Sequence, residues 1–352
     1  MASRTSVVDI DELTSLGLAA GLDAIGVAVV ETFDSTRRDL EDRKAAGLHA
    51  GMAFTYRNPA RSTDPGAALT GARSLVVGAR AYRPPRDAQQ PNDSPTGRVA
   101  AYACRDEYTP LRAALRVVAD RLCDHGWKAR VLADDNSLVD REAARRAGIG
   151  WYGKNSNLLL PGKGSWFVLG SVVTTAPLSP TGPPVADGCG SCSRCVDACP
   201  TGAIVAPGVV DANRCLAWLL QRAGTFPLEH RVALGDRIYG CDDCQEVCPP
   251  NRRAERSQNE PSELPSSTVS LLAMLHATDA ELLERHGRWY IAERNPRWLR
   301  RNALVALGNV ARSDDAAANA TIARYRVGDD EVLAEHASWA ERQIGTRRDR
   351  GA

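Results

Sequence analysis

The chain has 352 residues, of which 43% are hydrophobic and 25% are charged, and its formal net charge at pH 7 is +1. This length allows two or three domains with substantial cores, and so small a net charge excludes a general attraction to nucleic acid or membranes. Any polyanion site must therefore be a local patch. No apolar run has the length of a signal peptide or a membrane span, and we expect a soluble cytoplasmic protein.

The first half of the chain, from about residue 8 to 175, alternates helical and strand patterns. Short runs rich in β-branched residues predict four strands, at residues 24–30, 74–81, 128–133 and 166–174. Such alternation is typical of a mixed domain with a sheet at its centre. We therefore expect an α/β (α+β) domain over residues 1–176.

A helix is predicted between the second and third of these strands. Thr109 and Pro110 suit its N-cap and its first position, and Gly126 marks its end. One face carries four apolar residues at helical spacing, namely Leu111, Leu115, Val118 and Leu122. The segment is therefore expected to be an amphipathic core helix.

The third strand leads into an acidic turn with Asp134 and Asp135, a short helix, and a glycine-rich turn, Gly148-Ile-Gly-Trp-Tyr-Gly153. Ligand clefts form where strands end in such turns, and glycine allows a ligand to approach the backbone closely. The pattern alone is weakly specific, because an aspartate after a strand is often a helix cap or a turn residue. It marks a candidate site without indicating its chemistry.

Eight of the ten cysteines lie in one stretch with a two-part spacing. The first part is Cys189-Gly-Ser-Cys192-Ser-Arg-Cys195-Val-Asp-Ala-Cys199-Pro200, and the second is Cys215 followed by Cys241-Asp-Asp-Cys244-Gln-Glu-Val-Cys248-Pro249. In bacterial ferredoxins three cysteines at two-residue intervals hold one cluster, and the cysteine before proline ligates the other. The spacing therefore predicts a ferredoxin-like module that holds two [4Fe-4S] clusters and transfers single electrons.

The same rule assigns ligands to each cluster. The first cluster is predicted to be held by Cys189, Cys192, Cys195 and Cys248. The second is predicted to be held by Cys199, Cys215, Cys241 and Cys244. Two zinc sites are the alternative, although they would leave no role for the third cysteine of each run or for the Cys-Pro endings. A disulfide framework is disfavoured by the chain length and the clustering, and Cys104 and Cys123 are interpreted as small apolar residues.

Proline-containing stretches at residues 177–184 and 251–267 suggest a division into residues 1–176, 177–250 and 251–352. Residues 298–310 carry small and large apolar residues at helical spacing, as in one helix of a HEAT-type repeat. Residues 314–325 and 330–344 predict further helices. We expect the last segment to be a small all-α, HEAT-like domain.

This last segment also holds the densest positive charge. Arginines alternate there with aromatic residues, the set being Arg285, Arg288, Arg294, Arg297, Arg300 and Arg301 with Trp289, Tyr290 and Trp298. Arginine beside aromatic residues suits phosphate contacts and the stacking of unpaired bases. An ordinary solvated helix face with its aromatic residues in the core fits the composition equally well.

Taken together, the motifs resemble those of the epoxyqueuosine reductases. The motifs that carry the resemblance are Ala147-Gly-Ile-Gly-Trp-Tyr-Gly-Lys-Asn155, Gly164-Ser-Trp-Phe-Val-Leu-Gly170, Gly240-Cys-Asp-Asp-Cys-Gln-Glu-Val-Cys-Pro249 within the cysteine module, and Leu299-Arg-Arg-Asn-Ala303. The resemblance extends from Gly21 to Val310, and the order of the motifs is highly specific.

The resemblance implies a cobalamin-dependent enzyme that reduces epoxyqueuosine in the anticodon loop of tRNA to queuosine, the last step of queuosine biosynthesis. Two [4Fe-4S] clusters would supply the cobalt with electrons one at a time. Residues 1–176 would bind cobalamin, and residues 251–352 would contact tRNA. A low-potential donor such as a flavodoxin or ferredoxin is expected, and a monomer is the expected oligomeric state.

The resemblance also assigns residues to the site. It places the proton donor, which also lies against the cofactor, at Asp134 rather than at its neighbours Asp135 and Asp140. It places contacts with the corrin at four further positions, which are Arg57, Asn155, Ser165 and the backbone of Asp242.

The sequence departs from the family pattern at several positions near the expected pocket. Asp134 is followed by Asp-Asn-Ser where Thr-Ala-Pro is usual, Thr109 replaces a histidine, Pro250 replaces a tryptophan, and Leu220-Gln-Arg222 replaces a Thr-Ile-Glu segment. These differences bear on the substrate more than on the cofactors. Two alternatives stay open, a corrinoid reductase of another small molecule and a ferredoxin-type electron carrier.

Overall fold

The computed structural model describes residues 6–82, 94–256 and 267–350, with side chains up to residue 346. These ranges contain the following strands: β1 (Ala24–Val29), β2 (Ser74–Ala81), β3 (Thr96–Val99), β4 (Ala129–Ala133), β5 (Trp151–Tyr152), β6 (Leu158–Leu159), β7 (Phe167–Thr174), β8 (Ile204–Ala206), β9 (Val209–Val210), β10 (Arg237–Tyr239) and β11 (Thr268–Ser270). The four predicted strands correspond to β1, β2, β4 and β7, each within one residue at either end.

The helices of the described ranges are α1 (Ile10–Ala19), α2 (Asp34–Ala45), α3 (Pro59–Ser62), α4 (Ala101–Cys104), α5 (Tyr108–Asp124), α6 (Asp140–Arg146), α7 (Arg194–Asp197), α8 (Leu216–Leu219), α9 (Arg231–Leu234), α10 (Asp243–Glu246), α11 (Pro249–Arg256), α12 (Leu271–His276), α13 (Asp279–His286), α14 (Arg297–Val310), α15 (Ala316–Arg326) and α16 (Glu331–Arg350). None of these helices is both long and apolar enough to cross a membrane.

The N-terminal part is built on a four-stranded sheet in the order β1-β2-β7-β4, and all of its strand pairs are antiparallel. Because side chains alternate along a strand, Val76 of β2 joins the core on one face while Leu75 and Val77 join the core on the other. Helices cover both faces, with α5 on the side of Val76 and α6 on the side of Leu75. The antiparallel order makes this part the α+β form of the predicted class.

Helix α5 buries Leu111, Leu115, Val118 and Leu122, as predicted. Its start was predicted wrongly, because the helix begins at Tyr108 and Thr109 is not its N-cap. The carboxylate of Asp106 instead accepts hydrogen bonds of 3.0 Å from the backbone N–H groups of Tyr108 and Thr109. A carboxylate in this position satisfies the free N–H groups of the first turn and thereby sets where the helix begins.

A second, three-stranded sheet joins distant parts of the chain in the order β10-β3-β11. Strand β3 pairs in parallel with β10 of the cysteine-rich stretch and antiparallel with β11, which precedes the C-terminal helices. The prediction that everything after the connector is helical was wrong for β11. One strand from each of the three predicted segments enters this sheet, and the segments are therefore hydrogen-bonded to one another.

The predicted connector at residues 251–267 is partly helical. Helix α11 includes its first six residues, and Asn251 is fully buried. Residues 257–266 of the predicted connector lie outside the described residues. The connector prediction was therefore wrong at its beginning, where Asn251 has specific partners described below.

The C-terminal part is a packed set of helices in which α14, α15 and α16 correspond to the three predicted ones. Helix α14 is buried along most of its length, and it lies close to α16 because a Cβ at Gly308 would be 2.7 Å from the Cα of Ala340. Small residues at such a contact let two helix backbones approach each other. The core of this part also takes in Leu216, Leu219 and Phe226 of the cysteine-rich stretch.

Candidate active site

The structure brings the eight predicted ligands together in two groups. Burial first, and then the nearby thiolates of Cys189, Cys195 and Cys192, raises the pKa of Cys248 to about 11. In the same way burial, followed by the thiolates of Cys241, Cys215 and Cys199, holds the pKa of Cys244 well above its usual range. We call the set of Cys189, Cys192, Cys195 and Cys248 the outer thiol group. We call the set of Cys199, Cys215, Cys241 and Cys244 the inner thiol group.

Each group has the composition that an iron–sulfur cluster requires. Thiols ligate iron as thiolates, yet burial and the neighbouring thiolates disfavour ionisation of the thiols within each group. Four thiolates so close together are stable only beside a compensating cationic centre. Local hydrogen bonds favour this outcome, since the Sγ of Cys199 accepts the N–H of Ala203 at 3.1 Å. The residues present therefore fit a pair of four-cysteine clusters.

The two groups differ in how close they lie to solvent. The loop around the outer group is open, with Gly188, Gly190, Ser191, Ser193 and Arg194 all exposed. The inner group is enclosed by buried residues, namely Thr201, Ala203, Leu216, Tyr239 and Gln245. An electron that arrives from outside the protein therefore meets the outer group first.

A set of carboxyl and phenol side chains lies near the inner thiol group. We call it the acid–phenol cluster, and its members are Asp134, Asp140, Tyr102, Tyr108 and Tyr239. Burial raises the pKa of Tyr108, and the charges of Asp134 and Asp140 raise it further. Burial also raises the pKa of Tyr239 to about 12, with a smaller contribution from Asp134. These mutual effects place the side chains within electrostatic reach of one another.

Asp134 combines an uncommon backbone conformation with a carboxyl of raised pKa. It directly follows β4 and has a φ of 55°, in the left-handed region that few residues other than glycine adopt. Although the residue is exposed, partial desolvation of its carboxyl raises the pKa of that group, with Asp135 adding to the rise and Arg112 opposing it. No described residue donates a hydrogen bond to this carboxyl. It is therefore free to act on a ligand.

The carboxylate of Asp135, unlike that of Asp134, is engaged in a turn. Its carboxylate accepts a 2.7 Å hydrogen bond from the N–H of Ser137, which closes the turn after Asp134. Hydrogen bonds from Ser137 lower the pKa of the Asp135 carboxyl against the effect of burial. An ionised, hydrogen-bonded turn residue is a poor proton donor, and this distinguishes Asp135 from Asp134.

Two arginines connect the acid–phenol cluster with its surroundings. Arg112 donates a 3.0 Å hydrogen bond to the carbonyl of Ala133 and lies over the ring of Tyr108, 5.6 Å from its centroid. Arg141 donates a 3.1 Å hydrogen bond to the carbonyl of Ser156, and its charge acts on both Tyr108 and the inner ligand Cys215. Positive charge thus lies between the carboxyl groups and the inner thiol group.

Three of the predicted cofactor contacts meet where the α+β part joins the cysteine-rich stretch. The side-chain amide of Asn155 donates to the carbonyl of Cys244 at 3.1 Å. The hydroxyl of Ser165 donates to Gln245 at 2.9 Å, while Asn251 accepts the N–H of Ser165 at 2.6 Å. Both residues are buried and support the wall beside the inner thiol group.

Asp242 lies on the same wall. Its carboxylate accepts a 2.6 Å hydrogen bond from the N–H of Ala101, and burial raises its pKa to about 6. Burial together with the charge of Asp242 also raises the pKa of Tyr82, which packs edge-on against Trp166 at 5.8 Å between ring centroids. The backbone at Asp242 therefore lies between the inner thiol group and the α+β part.

Arg57 is placed apart from the other predicted contacts. It is exposed, in a loop that begins at Gly47 and packs on the cysteine-rich stretch through a 3.0 Å hydrogen bond from Trp218 to the carbonyl of Ala50. Ala50 and Thr55 of this loop both have positive φ. Among the described residues, no hydrogen bond or ion pair joins the Arg57 side chain to Asp134, Asn155, Ser165 or Asp242.

Comparisons with known proteins agree with this geometry. Residues 188–251 match the family model described as a 4Fe-4S double cluster binding domain. Epoxyqueuosine reductases from Shewanella oneidensis and Xanthomonas campestris are each 34% identical to this chain, and the alignments cover 94% and 95% of it and 86% and 95% of those proteins. The chain belongs to the epoxyqueuosine reductase family.

Solved structures of epoxyqueuosine reductases share the fold. One was crystallised with an epoxyqueuosine-modified tRNA-Tyr stem loop, and it is 33% identical with a TM-score of 0.86 over 95% of this chain and 90% of that one. Another, from Bacillus subtilis, is described with an aspartate-containing catalytic loop swung out of the active site, and its TM-score is 0.85 at 33% identity over the same shares of the two chains. As a member of this family the chain is an oxidoreductase with an iron–sulfur module, as predicted.

Sequence reasoning did not identify several residues that lie around Asp134. Tyr102, Tyr239, Arg112 and Arg141 face Asp134 or its phenol neighbours, but none was singled out. Arg141 had a detectable signal, since it occupies the first turn of the helix that follows the acidic loop. The tyrosines come from elements more than a hundred residues apart in sequence, and only the fold brings them together.

The arginine patch of the C-terminal part was interpreted wrongly in one respect. Arg301 is fully buried and donates hydrogen bonds to the carbonyls of Leu219, Arg222 and Gly224, which stabilise the loop after α8. Arg297 and Arg300 form ion pairs with Asp330 and Asp279, respectively. The side chains of these three arginines are therefore engaged in contacts that stabilise the fold.

Three arginines of the patch remain, and all three are exposed: Arg285, Arg288 and Arg294. Tyr290 is exposed as well. Arg288 donates to the carbonyl of Ala103, immediately after Tyr102 of the acid–phenol cluster. Trp289 is buried and stacks on Tyr239 at 4.7 Å between ring centroids. The exposed half of the patch therefore borders the acid–phenol cluster.

Proposed function

We propose that this protein reduces epoxyqueuosine in the anticodon loop of tRNA to queuosine, using cobalamin and two [4Fe-4S] clusters. The observation that carries the proposal is the position of the Asp134 carboxyl in the acid–phenol cluster, which Arg141 connects with the inner thiol group, in a chain of this family. The reaction converts an epoxide to an alkene and water, which consumes two electrons and two protons. The two thiol groups would supply the electrons, Asp134 would supply one proton, and the second proton would come from solvent.

Cobalamin would lie between the acid–phenol cluster and the wall beside the inner thiol group. When bound, it supplies a low-valent cobalt that can form a bond with a substrate carbon, which an iron–sulfur cluster does not do. Arg57 is exposed and would contact its periphery. Asn155, Ser165 and the backbone of Asp242 would shape the wall against it, while their existing hydrogen bonds keep that wall rigid.

Asp134 would donate a proton to the oxygen of the opening epoxide. Its raised pKa suits this role, because a carboxyl that keeps its proton nearer neutral pH is a more abundant acid there. The left-handed backbone after β4 points to a loop held in place for function. The nearby phenols of Tyr102 and Tyr108 would exclude water and orient the substrate.

The two thiol groups would form one path for electrons. Each would hold a [4Fe-4S] cluster, with the inner cluster next to cobalamin and the outer one next to solvent. Each cluster carries one electron at a time, so that two transfers complete one reduction. A flavodoxin or ferredoxin would provide these electrons at low potential.

The anticodon loop would approach over the exposed arginines Arg285, Arg288 and Arg294, with Tyr290 available for stacking on an unpaired base. This places the modified nucleoside beside Tyr102 and Asp134. We accordingly assign cobalamin binding to residues 1–176, the clusters to residues 177–250 and tRNA contact to a HEAT-like domain at residues 251–352. Because the substrate is a tRNA, we place the activity in the cytoplasm, and we propose that one chain suffices.

An anaerobic turnover tests this function. Protein with reconstituted clusters is supplied with cobalamin, a low-potential reductant and tRNA bearing epoxyqueuosine, and the digested nucleosides are analysed by mass spectrometry. Loss of one oxygen from the modified nucleoside, dependent on both cofactors, is the expected result. Unchanged epoxyqueuosine in protein that holds iron and corrin would instead favour a corrinoid reductase with another substrate.

A further inference from the structure

The outer thiol group lies at a surface where the proposed reaction needs an electron donor but assigns no residue to bind it. Exposed residues surround its loop, whereas the inner ligand Cys215 feels the charge of Arg141, which also acts on Tyr108 of the acid–phenol cluster. An electron that enters through the outer group would pass to the inner group and then to the site. The surface around the outer group is thus where an external reductant comes closest to the path.

This surface has an excess of positive charge. Four cationic side chains form it, and we call them the basic rim: Lys154, Arg194, Arg252 and Arg253. Arg194 directly precedes the ligand Cys195 and is exposed. Lys154 reaches the same loop, where its Nζ donates a 2.7 Å hydrogen bond to the carbonyl of Gly190. The rim therefore includes cations on two sides of the outer group.

The other two cations of the rim belong to α11, which begins directly after the ligand Cys248. The N–H of Arg252 donates to the carbonyl of Cys248 at 3.0 Å, and its Nε donates to the carbonyl of Glu246 at 2.9 Å. Arg253 follows it, and both arginines are exposed. Backbone contacts of this kind place these side chains at a fixed distance from the outer group.

Two carboxylates lie within the same loop and reduce the charge of the rim without cancelling it. Asp187 accepts the N–H of Cys189 at 2.8 Å, and Asp197 accepts the hydroxyl of Ser193 at 2.7 Å. Both are engaged in holding the loop. The carboxylate of the nearby Glu246 is paired with Arg98 at 3.3 Å, outside the rim. Four cations against the two loop carboxylates leave a net positive surface next to the outer group.

We propose that the basic rim is the docking surface for a small acidic protein that carries one electron, such as a ferredoxin. This inference rests on the proposed function, since it requires that the outer thiol group hold a cluster. In each encounter the carrier would be oxidised by one electron and the outer cluster reduced by one, and two encounters would supply one epoxide reduction. Charge complementarity suits such partners, whose interfaces are small and short-lived and whose association is steered electrostatically.

The first test is a binding titration with oxidised plant-type [2Fe-2S] ferredoxin and the holoprotein at low ionic strength. Combining Arg194→Glu, Arg252→Glu and Arg253→Glu is expected to weaken binding about tenfold or more, because steering and complementarity are reversed. Arg116→Glu, at an exposed site on α5, is the matched control and should bind as the unmodified protein does. Equal affinity of the triple variant and the control would overturn the proposal.

The second test follows cluster reduction by stopped-flow absorbance without tRNA. Reduced ferredoxin should bleach the clusters of the triple variant at least about tenfold more slowly than those of the unmodified protein. Photoreduced deazaflavin is a small reductant and should reduce both proteins at the same rate. Iron analysis shows whether clusters are intact, and Arg252→Gln with Arg253→Gln provides a milder variant if they are not. Identical rates with ferredoxin would contradict the docking surface.

Competition separates this surface from the one proposed for tRNA. An epoxyqueuosine tRNA stem loop should leave ferredoxin binding unchanged, and displacement of ferredoxin by the stem loop would assign the rim to tRNA and overturn the proposal. A protein whose clusters ferredoxin reduces normally but which leaves epoxyqueuosine unreduced would refute the proposed function alone. The two failures are therefore distinguishable.

Discussion

The side-chain amide of Asn155 donates a 3.1 Å hydrogen bond to the backbone carbonyl of Cys244, a member of the inner thiol group. The glycine-rich turn of the α+β part is thereby attached to the cysteine-rich stretch. The amide is buried, and the same side chain accepts the N–H of Asn157 at 3.2 Å to close its own turn. This side chain therefore determines how the two parts meet at the site.

Asn155→Ala should weaken this junction. Loss of the hydrogen bond leaves the buried carbonyl of Cys244 unsatisfied, which costs about 1–3 kcal/mol of unfolding free energy, and turnover should fall with it. Thermal unfolding of the holoprotein and the single-turnover rate are the measurements. Asn157→Ala is the matched control, because the Asn157 side chain makes no such bridge, and an equal loss in both variants would argue against the junction.

Asp134→Asn should abolish turnover while leaving both clusters and cobalamin bound. An amide of the same shape preserves the loop but has no acidic proton, and loss of a general acid lowers rates by roughly 10²–10⁴-fold. The control is Asp135→Asn, which should retain most of the activity because asparagine also accepts the Ser137 N–H in the turn. The single-turnover rate of queuosine formation is measured, and a fully active Asp134→Asn variant would remove Asp134 as the donor.

The pH dependence of turnover should show the ionisation of Asp134. The protonated carboxyl is the active form, so the rate should be constant at low pH and fall as pH rises through its raised pKa. Of the groups that face it, Arg112 lowers this pKa, Asp135 raises it, and Asp140 and the phenols of Tyr108 and Tyr239 are also coupled to it.

Arg112→Gln should therefore move the falling limb to higher pH, because the cation that favours the ionised carboxyl is gone. Arg112→Lys retains the charge and should leave the limb near its original position. Single-turnover rates across the pH range provide the comparison. A limb at the same pH in all three proteins would mean that another group controls the rate.

Local patterns predicted much of this fold. The β-branched runs at β2 and β7 and the apolar face of α5 were correct because neighbouring residues determine them. The spacing of the cysteines predicts which thiols share a cluster, since turns only two residues long restrict which thiols can meet. The strand order β1-β2-β7-β4 could not be predicted in this way, because it depends on contacts between distant segments.

The burial of Arg301 was unpredictable for a related reason. A guanidinium at an amphipathic position is ordinarily exposed, and its burial here depends on carbonyls of the loop after α8, nearly eighty residues earlier. Burial also lowers the pKa of Arg301 to about 9. The acid–phenol cluster could not be predicted for the same reason. Its tyrosines are far from Asp134 in sequence, so no local motif relates them to it.

Substitution of single cysteines should remove one cluster at a time. Cys248→Ala should destabilise the outer cluster and Cys199→Ala the inner one, and in each case the iron content should fall by about half because each cluster has four thiolate ligands. Iron analysis and electron paramagnetic resonance of the reduced protein identify the cluster that is lost. Cys123→Ala, at an exposed position outside both groups, should retain all the iron. Loss of both clusters in Cys248→Ala and in Cys199→Ala, with the iron of Cys123→Ala retained, would contradict this expectation and show that the module assembles cooperatively.

The exposed and buried arginines of the C-terminal part should differ in their effect on tRNA binding. Changing Arg285, Arg288 and Arg294 to Gln should weaken binding of an epoxyqueuosine stem loop and lower the slope of log K against log salt by roughly 0.7–0.9 per lost phosphate contact. Arg301→Met instead leaves several buried carbonyls unsatisfied and should cost about 3 kcal/mol or more of unfolding free energy. In the protein that remains folded, Arg301→Met should leave the salt slope unchanged. A salt slope that responds to Arg301 but not to the exposed three would place the tRNA elsewhere.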